Sequence, residues 1–328
     1  MDQLIDMFGR TVRDIRLSVT DRCDLRCTYC MPEDYDAWLP RAEILSYEEM
    51  ARLVGVLHGF GIRTVRLTGG EPLVRRDLPR LVGMLRDIDP DLDLSLTTNG
   101  TSLVDHAVPL AEAGLRRINV SLDTLRRERF AELTRRDKLD RVLAGIAAAA
   151  DAGLAPIKVN TVVMRGCNED EIVDLVGWGR DHGYEVRFIE FMPLDGGHTW
   201  TSERVFGMRE ILDLVGAAYP FEAVGEDDRE PARRFRFLDG RGAFGVIGSV
   251  TAPFCDSCDR IRITADGMLR TCLFSLHEHD LKSLLRDGAS DEAIADLFRA
   301  AVLTKERGHQ IGRPGFVQPG RAMVAIGG

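Results

Sequence analysis

Six of the seven cysteines in this 328-residue chain fall into two widely separated triplets: Cys23, Cys27 and Cys30 near the start, and Cys255, Cys258 and Cys272 near the end. Three thiolates can hold a cubane 4Fe-4S cluster by three of its four irons, leaving the fourth open to a ligand that is not protein. An open iron is a place for chemistry, so the two triplets predict two reactive metal centres. The alternative for each is structural zinc, which takes four Cys or His donors. No histidine precedes His58, so a fourth donor is missing near the first triplet. Beside the second, His277 and His279 stand close enough in sequence to complete a Cys3His site, and there the zinc alternative stays open. Cys167, in R-G-C-N-E-D-E, belongs to neither triplet and reads as an incidental small residue.

A second pattern indicates what an open iron would act on. Single basic residues sit between apolar neighbours in Ile15-Arg16-Leu17, Val65-Arg66-Leu67, Ile157-Lys158-Val159 and Val186-Arg187-Phe188, and Arg260-Ile261-Arg262-Ile263 alternates. On strands, period-2 alternation puts such cations on one face. A buried cation without counter-charge is costly, and no obvious carboxylate partner accompanies these residues in the sequence. The expected counter-charge is a ligand. Guanidinium forks suit phosphate oxygens, which predicts a polyphosphorylated substrate. The net charge of -9 argues against general nucleic-acid affinity, so such an anion must meet a local basic pocket.

Strand-like runs alternate with amphipathic helical stretches over the first two thirds of the chain, the signature of βα units around a parallel sheet. The strands are expected near Asp14 to Val19, Thr64 to Leu67, Asp93 to Thr97, Arg117 to Ser121, Ile157 to Val163 and Val186 to Phe191. Ser46 followed by Glu49 predicts a capping box at a helix start, and the alanine-rich stretch Leu143 to Ala152 predicts a core helix. After Phe191 the rhythm breaks. Gly196-Gly197 and Gly225 to Asp228 read as loops, with β-like runs at Arg234 to Leu238 and Phe244 to Ile247. Six units are too few for a closed eight-unit barrel, so the expected fold is α/β: an incomplete (β/α)6 TIM-like barrel over residues 1–217, closed by a C-terminal α+β region over 218–328 that carries the second triplet. The active site belongs at the strand C-terminal ends. The start lacks a secretory signal and no apolar run approaches membrane-spanning length, which predicts a cytosolic protein with no membrane partner. In a reducing cytosol close cysteines favour metal over disulfides.

The triplet Cys23-x-x-x-Cys27-x-x-Cys30 directly after the first strand, with Thr68-Gly69-Gly70-Glu71-Pro72 after the second, resembles the radical S-adenosylmethionine superfamily. There the triplet binds a 4Fe-4S cluster, and the G-G-E-P segment presents backbone groups to the methionine amine. The resemblance implies that Tyr29, Gly70, Ser121 and Met192 contact S-adenosylmethionine. With the second triplet, the R-I-R after its cysteine pair and the terminal Gly327-Gly328, the chain resembles the GTP 3′,8-cyclase family, which opens molybdenum cofactor biosynthesis, over essentially its whole length.

That resemblance implies two 4Fe-4S clusters, the first on Cys23, Cys27 and Cys30, the second on Cys255, Cys258 and Cys272 with its open iron taking GTP. It implies Arg16, Arg66, Thr97, Lys158, Arg187, Arg260, Ile261 and Arg262 around GTP, and Arg16, Arg260, Arg262, Gly327 and Gly328 as catalytic residues. An external electron donor would reduce the first cluster, S-adenosylmethionine would yield a deoxyadenosyl radical, and the resulting ribose C3′ radical would attack C8 of guanine. The product would pass to the next pathway enzyme, cyclic pyranopterin monophosphate synthase, from a monomer or homodimer. Asp24 departs from the family's usual Asn and Cys167 from an aliphatic residue; neither is an implied ligand. A radical S-adenosylmethionine enzyme acting on a peptide is one rival, but such enzymes usually carry more C-terminal cysteines and have no need of strand arginines. A non-catalytic zinc or iron-sulfur protein is another, separable by iron, sulfide and zinc analysis.

Overall fold

Alternation of apolar and polar residues in six short runs forces one face of each strand into a core, and the computed structural model shows where those faces go. It describes residues 2–195, 197–225 and 230–327. Gly196 and residues 226–228 of the expected loops, and the terminal Gly328, lie outside the described residues. Strands β1 (Asp14–Ser18), β2 (Thr64–Thr68), β3 (Asp93–Thr98), β4 (Arg117–Ser121), β5 (Ile157–Val163) and β6 (Glu185–Glu190) stand in parallel, in sequence order. Helices α1 (Tyr47–Gly59), α2 (Leu78–Ile88), α3 (Leu103–Glu112), α4 (Arg127–Thr134), α5 (Leu139–Asp151) and α6 (Ile172–His182) make the crossovers between them. All six strands fall within a residue of their expected starts.

Ser46 caps α1 as its spacing predicts: its hydroxyl accepts from the Glu49 N–H at 3.1 Å, and the Glu49 carboxylate accepts from the Ser46 N–H at 2.6 Å. The alanine-rich helix is α5. It buries only the stripe Leu139, Val142, Gly145, Ile146 and Ala149, so it is an amphipathic wall of the core rather than a fully enclosed rod. The core lies between the sheet and these helices, with Ile15, Leu17, Val65, Leu67, Leu94, Leu96, Val159 and Phe188 all at 1% exposure or less.

Beyond β6 come α7 (Met208–Ala218), β7 (Phe221–Ala223), β8 (Arg233–Phe237), β9 (Ala243–Ile247), β10 (Arg260–Ile263), β11 (Met268–Arg270), β12 (His279–Asp280), α8 (Leu281–Arg286), α9 (Asp291–Leu303) and the terminal α10 (Met323–Ile326). These strands extend the sheet at both edges. β9 pairs in parallel with β6, and β10 in parallel with β1, while β8, β7, β11 and β12 continue outward antiparallel. The result is one twelve-stranded sheet whose terminal strands, β12 and β7, do not meet: an open α/β barrel. No helix among the described residues is long and apolar enough to cross a membrane.

Candidate active site

Strand register sets the basic residues side by side. Arg262 on β10 lies opposite Arg16 on β1, Arg16 opposite Arg66 on β2, Arg66 opposite Ser95 on β3, and Ser95 opposite Arg117 on β4. Asn119 links this row to Thr97 on one side and Lys158 on the other, and Asn160 lies opposite Arg187. The intervening Ile15, Leu17, Ile261 and Ile263 point the other way, fully buried, so Ile261 has only its backbone to offer the interior.

Crowded, desolvated cations resist their own charge. Burial, with Arg16 as the nearest like charge, lowers Arg66 to about 9; burial and Arg187 lower Lys158 to about 8. Burial also lowers Arg16, and with Arg16 and Arg260 nearby it takes Arg262 well below its ordinary value. The Arg16 Nε is buried without a hydrogen-bond partner among the described residues. Arg260 differs: burial opposes its charge, but Cys258, Asp259 and Asp14 outweigh that and raise it, and its guanidinium lies 4.7 Å from the Phe254 ring centroid. The expectation that no carboxylate serves these cations thus fails through Asp14 and Asp259, and most directly at Arg187. Its Nε donates to Glu185 Oε1 at 2.6 Å, and Glu185 Oε2 accepts from Arg234 at 2.8 Å. Glu185 shares Arg187's strand face because β6 begins one residue earlier than the apolar run indicates.

The first triplet occupies the loop after β1, at the strand C-terminal rim. The G-G-E-P segment lies directly against that loop: the Gly70 N–H donates to the Thr20 carbonyl at 2.8 Å and the Glu71 N–H to the Arg22 carbonyl at 2.7 Å. A Cβ on Gly70 would stand 2.4 Å from the Asp21 carbonyl oxygen and 2.5 Å from that of Arg22, so only glycine permits this approach. With both N–H groups engaged, the segment has carbonyl oxygens to present, and these suit an ammonium. Glu71, fully buried, accepts from Leu73 N–H, Thr98 Oγ1 and Asn99 N–H at 2.9, 2.7 and 2.6 Å, fastening the β3 rim to the same loop. Burial pushes its carboxyl up to about 7.

Tyr29 donates its hydroxyl to buried Asp123 at 2.6 Å, and Asp123 in turn accepts from the Val162 N–H at 2.8 Å, tying the cysteine loop to β5. Asp24 accepts from Asn99, Thr101 and Lys138 at 2.8, 2.7 and 2.8 Å; burial opposes its charge, but these partners hold it below the usual carboxylate value. Sequence reasoning assigned no role to Glu71, Asp123 or Lys138. For Asp123 a signal existed, since it closes the N-V-S-L-D run that contains Ser121. Ser121 itself ends β4, half-buried and opposite Asn160. Cys167 is half-buried in the apolar cluster of Leu133, Met164 and Phe191 that Tyr29 also joins.

The second triplet begins in the short turn before β10 and closes just after β11. Burial opposes ionisation of Cys258, but Arg260 and Lys305 reverse this and lower the thiol to about 7. Buried Arg10, paired with Asp6 at 2.5 Å, donates to the carbonyls of Cys255, Glu306 and Arg307 at 2.7 to 2.8 Å and fixes the turn from behind. Around the first triplet the field has the opposite sign. There burial, aided by neighbouring carboxylates and thiols, raises Cys23 and Cys27 strongly, and burial pushes Cys30 up to about 12. A cationic iron core is the counter-charge that would deprotonate such thiols.

All six cysteines are free, and among the described residues no three His, Cys, Asp or Glu side chains converge as ligands of a single metal ion. Structural zinc gathers its donors at about 2.3 Å from one centre. His279 does not complete such a set: it sits in β12 opposite Leu269, with Nε2 3.4 Å from Thr304 Oγ1.

One element touches the surroundings of both triplets. The four-residue α10 packs Met323 and Ile326 in a cluster with Leu194, Met192 and Cys272, and Val324 in another with Met31, Cys23 and Cys30. Past it, Gly327 takes φ +92°, and its carbonyl accepts from Arg262 at 2.5 Å, while Ser18 Oγ donates to the Ile326 carbonyl at 3.1 Å. Gly327 therefore lies on the basic row.

An open α/β barrel with a cysteine triplet on its first rim loop, seated on a glycine-rich second rim loop, defines a radical S-adenosylmethionine protein. The family model for the radical SAM superfamily matches residues 17–179, and that for Molybdenum Cofactor Synthesis C matches residues 184–311. Among solved structures, Streptococcus suis SuiB bound to S-adenosylmethionine superposes with a TM-score of 0.62 at 16% identity, over 97% of this chain and 78% of that one. The structure of anSMEcpe with bound AdoMet gives 0.56 at 14% identity, over 94% and 93%. These likenesses establish the fold. In sequence, the chain is 49% identical to the GTP 3′,8-cyclase of Streptomyces coelicolor over 99% of its length and 96% of the relative. It is 48% identical to that of Paenarthrobacter nicotinovorans over 99% and 97%, and 47% identical to GTP 3′,8-cyclase 2 of Mycobacterium tuberculosis over 99% and 92%. The chain belongs to the GTP 3′,8-cyclase family. Its superfamily brings with it S-adenosylmethionine and a 4Fe-4S cluster.

Proposed function

We propose that this protein cyclises GTP to (8S)-3′,8-cyclo-7,8-dihydroguanosine 5′-triphosphate, the first step of molybdenum cofactor biosynthesis. The row of inward strand cations carries the reading: Arg262, Arg16 and Arg66 stand in register, none of them in an ion pair among the described residues, with Asp14 as the carboxylate that acts on all three, and a triphosphate supplies the remaining counter-charge. Cys23, Cys27 and Cys30 hold the first cluster, with Tyr29, Gly70, Ser121 and Met192 around S-adenosylmethionine. Cys255, Cys258 and Cys272 would hold a second 4Fe-4S cluster, which would supply a binding site for the substrate. When bound, the first cluster and S-adenosylmethionine supply the carbon radical that removes a hydrogen atom from the ribose.

The chain's own residues do the rest. Arg16, Arg66, Lys158 and Arg187 neutralise the triphosphate, and Arg260 and Arg262 fix the end nearer the second triplet, so that C3′ and C8 are held in reacting geometry. Thr97 and the backbone of Ile261 line the same space. Arg262, anchored on the Gly327 carbonyl, keeps the tail seated and water out. In this reading residues 1–217 form the radical-generating barrel and 218–328 the substrate-holding region. The protein works in the cytoplasm, as a monomer or homodimer, with an electron donor upstream and cyclic pyranopterin monophosphate synthase taking the product.

Anaerobically reconstituted protein given S-adenosylmethionine, GTP and a strong reductant is expected to form 5′-deoxyadenosine and the cyclised nucleotide in equal amounts. Formation of neither overturns the assignment.

A further inference from the structure

Lys305, just after α9, is a buried ammonium at 3% exposure with no carboxylate bridge among the described residues. Its Nζ donates to the Arg260 carbonyl at 2.8 Å and to the Thr271 carbonyl, and stands 3.8 Å from Cys258 Sγ. Three N–H bonds meet three acceptors, and two of those are the backbone beside the second triplet: Arg260 follows Cys258 by two residues, and Thr271 precedes Cys272. The neighbouring carboxylate is committed elsewhere, since Glu306 accepts from Thr271 Oγ1 at 3.1 Å and Ser275 Oγ at 2.5 Å. A buried cation is kept only where a counter-charge repays its desolvation, and among the described residues the ionisable group its Nζ touches is the Cys258 thiol, with Asp259 and Cys272 close enough to feel its charge.

We propose that Lys305 is the positioning residue of the second cysteine site: it clamps the two strand ends that carry Cys258 and Cys272 and supplies the positive charge that offsets the cluster held there. The proposal rests on the reading that this triplet holds a 4Fe-4S cluster. A fixed cation beside the cluster favours the form that has gained an electron, so removing it lowers the midpoint potential. A carbonyl clamp without electrostatic effect would leave the potential unmoved.

The test uses the full chain carrying Cys23→Ser, Cys27→Ser and Cys30→Ser, so that only the second site reconstitutes, with and without Lys305→Met or Lys305→Arg. Iron, sulfide and zinc are counted, and the cluster is titrated by potential-controlled electron paramagnetic resonance. In the parent about four irons and four sulfides are expected. Lys305→Met is expected to make reduction at least tenfold less favourable, a fall of about 59 mV for one electron, with Lys305→Arg closer to the parent. If Lys305→Met instead loses the cluster while Lys305→Arg keeps it, a charged donor at this position is required for the site to form. A fully loaded Lys305→Met protein with the parent's midpoint overturns the role of Lys305 alone, as does loss of the cluster in both variants. A parent without iron and sulfide overturns both this proposal and the cluster reading beneath it.

Discussion

Gly327→Ala tests how tightly the tail is fitted to the barrel. A Cβ at Gly327 would lie 1.9 Å from Ser18 Oγ, and the backbone holds φ at +92°. A side chain in that left-handed region costs about 1–2 kcal/mol. Ser18 can rotate aside, but it then loses its bond to the Ile326 carbonyl, about 1 kcal/mol. Shifting the backbone instead breaks the charge-assisted bond from Arg262, about 1.5–3 kcal/mol. The penalty is about 2–3 kcal/mol by the first route and about 2.5–5 kcal/mol by the second. Against it, docking buries Val324 and Ile326, about 1.5–3 kcal/mol each. The penalty offsets most of that gain, so the substitution is expected to leave a substantial fraction of the tail undocked while the barrel core keeps its stability. Hydrogen exchange by mass spectrometry should show loss of protection at the amides of Ile326 and Gly327, which bond to Ala322 and Met323. kcat/KM for GTP should fall at least tenfold, by the loss of Arg262's anchor. The double variant Ser18→Ala with Gly327→Ala removes the clashing oxygen and should recover part of the protection. Full protection of the tail amides and unchanged kcat/KM in Gly327→Ala would refute the reasoning.

Two further predictions follow from the same site. Lys158, lowered to about 8 in the folded protein, titrates above pH 10 when unfolded. Between those values the unfolded chain binds more protons, so this residue's contribution to stability rises with pH across the window. Triphosphate binding needs the ammonium and runs the other way: KM for GTP should climb as pH rises through about 8, and Lys158→Arg should flatten that limb in a pH profile of kcat/KM. Gly70→Ala drives a methyl group into two backbone carbonyls that cannot rotate away, a strain of about 3 kcal/mol on the first-triplet loop. Iron counts should show loss of the first cluster with the second retained; a Gly70→Ala protein that loads both and binds S-adenosylmethionine normally would contradict the close approach.

The inward arginines were legible because strand alternation is a local property: Arg16 and Arg66 face the interior for the same reason that Ile15 and Val65 face the helices. Even there one error of a single residue at the start of β6 hid Glu185 as the partner of Arg187. Strands β7, β11 and β12 span two or three residues each, too short for any periodicity to register. The partners of Asp123, and Lys305 altogether, were missed for another reason. Each is defined by partners far away in the chain, Tyr29 in one case and Arg260, Thr271 and Cys258 in the other.

By itself the sequence determined the six βα units, the two sets of thiols and the basic face they enclose, since spacing, period and turn chemistry act over a few residues. Tertiary structure decided where the two triplets stand relative to each other. That depended on β10 pairing with β1 and β9 with β6, long-range contacts that no local pattern specifies, and on Arg262 and Ser18 receiving the tail at the centre. Pairing across two hundred residues is settled by which edges the closed core leaves free. The chemistry of each site was therefore readable from its own short segment, and its placement relative to the other was not.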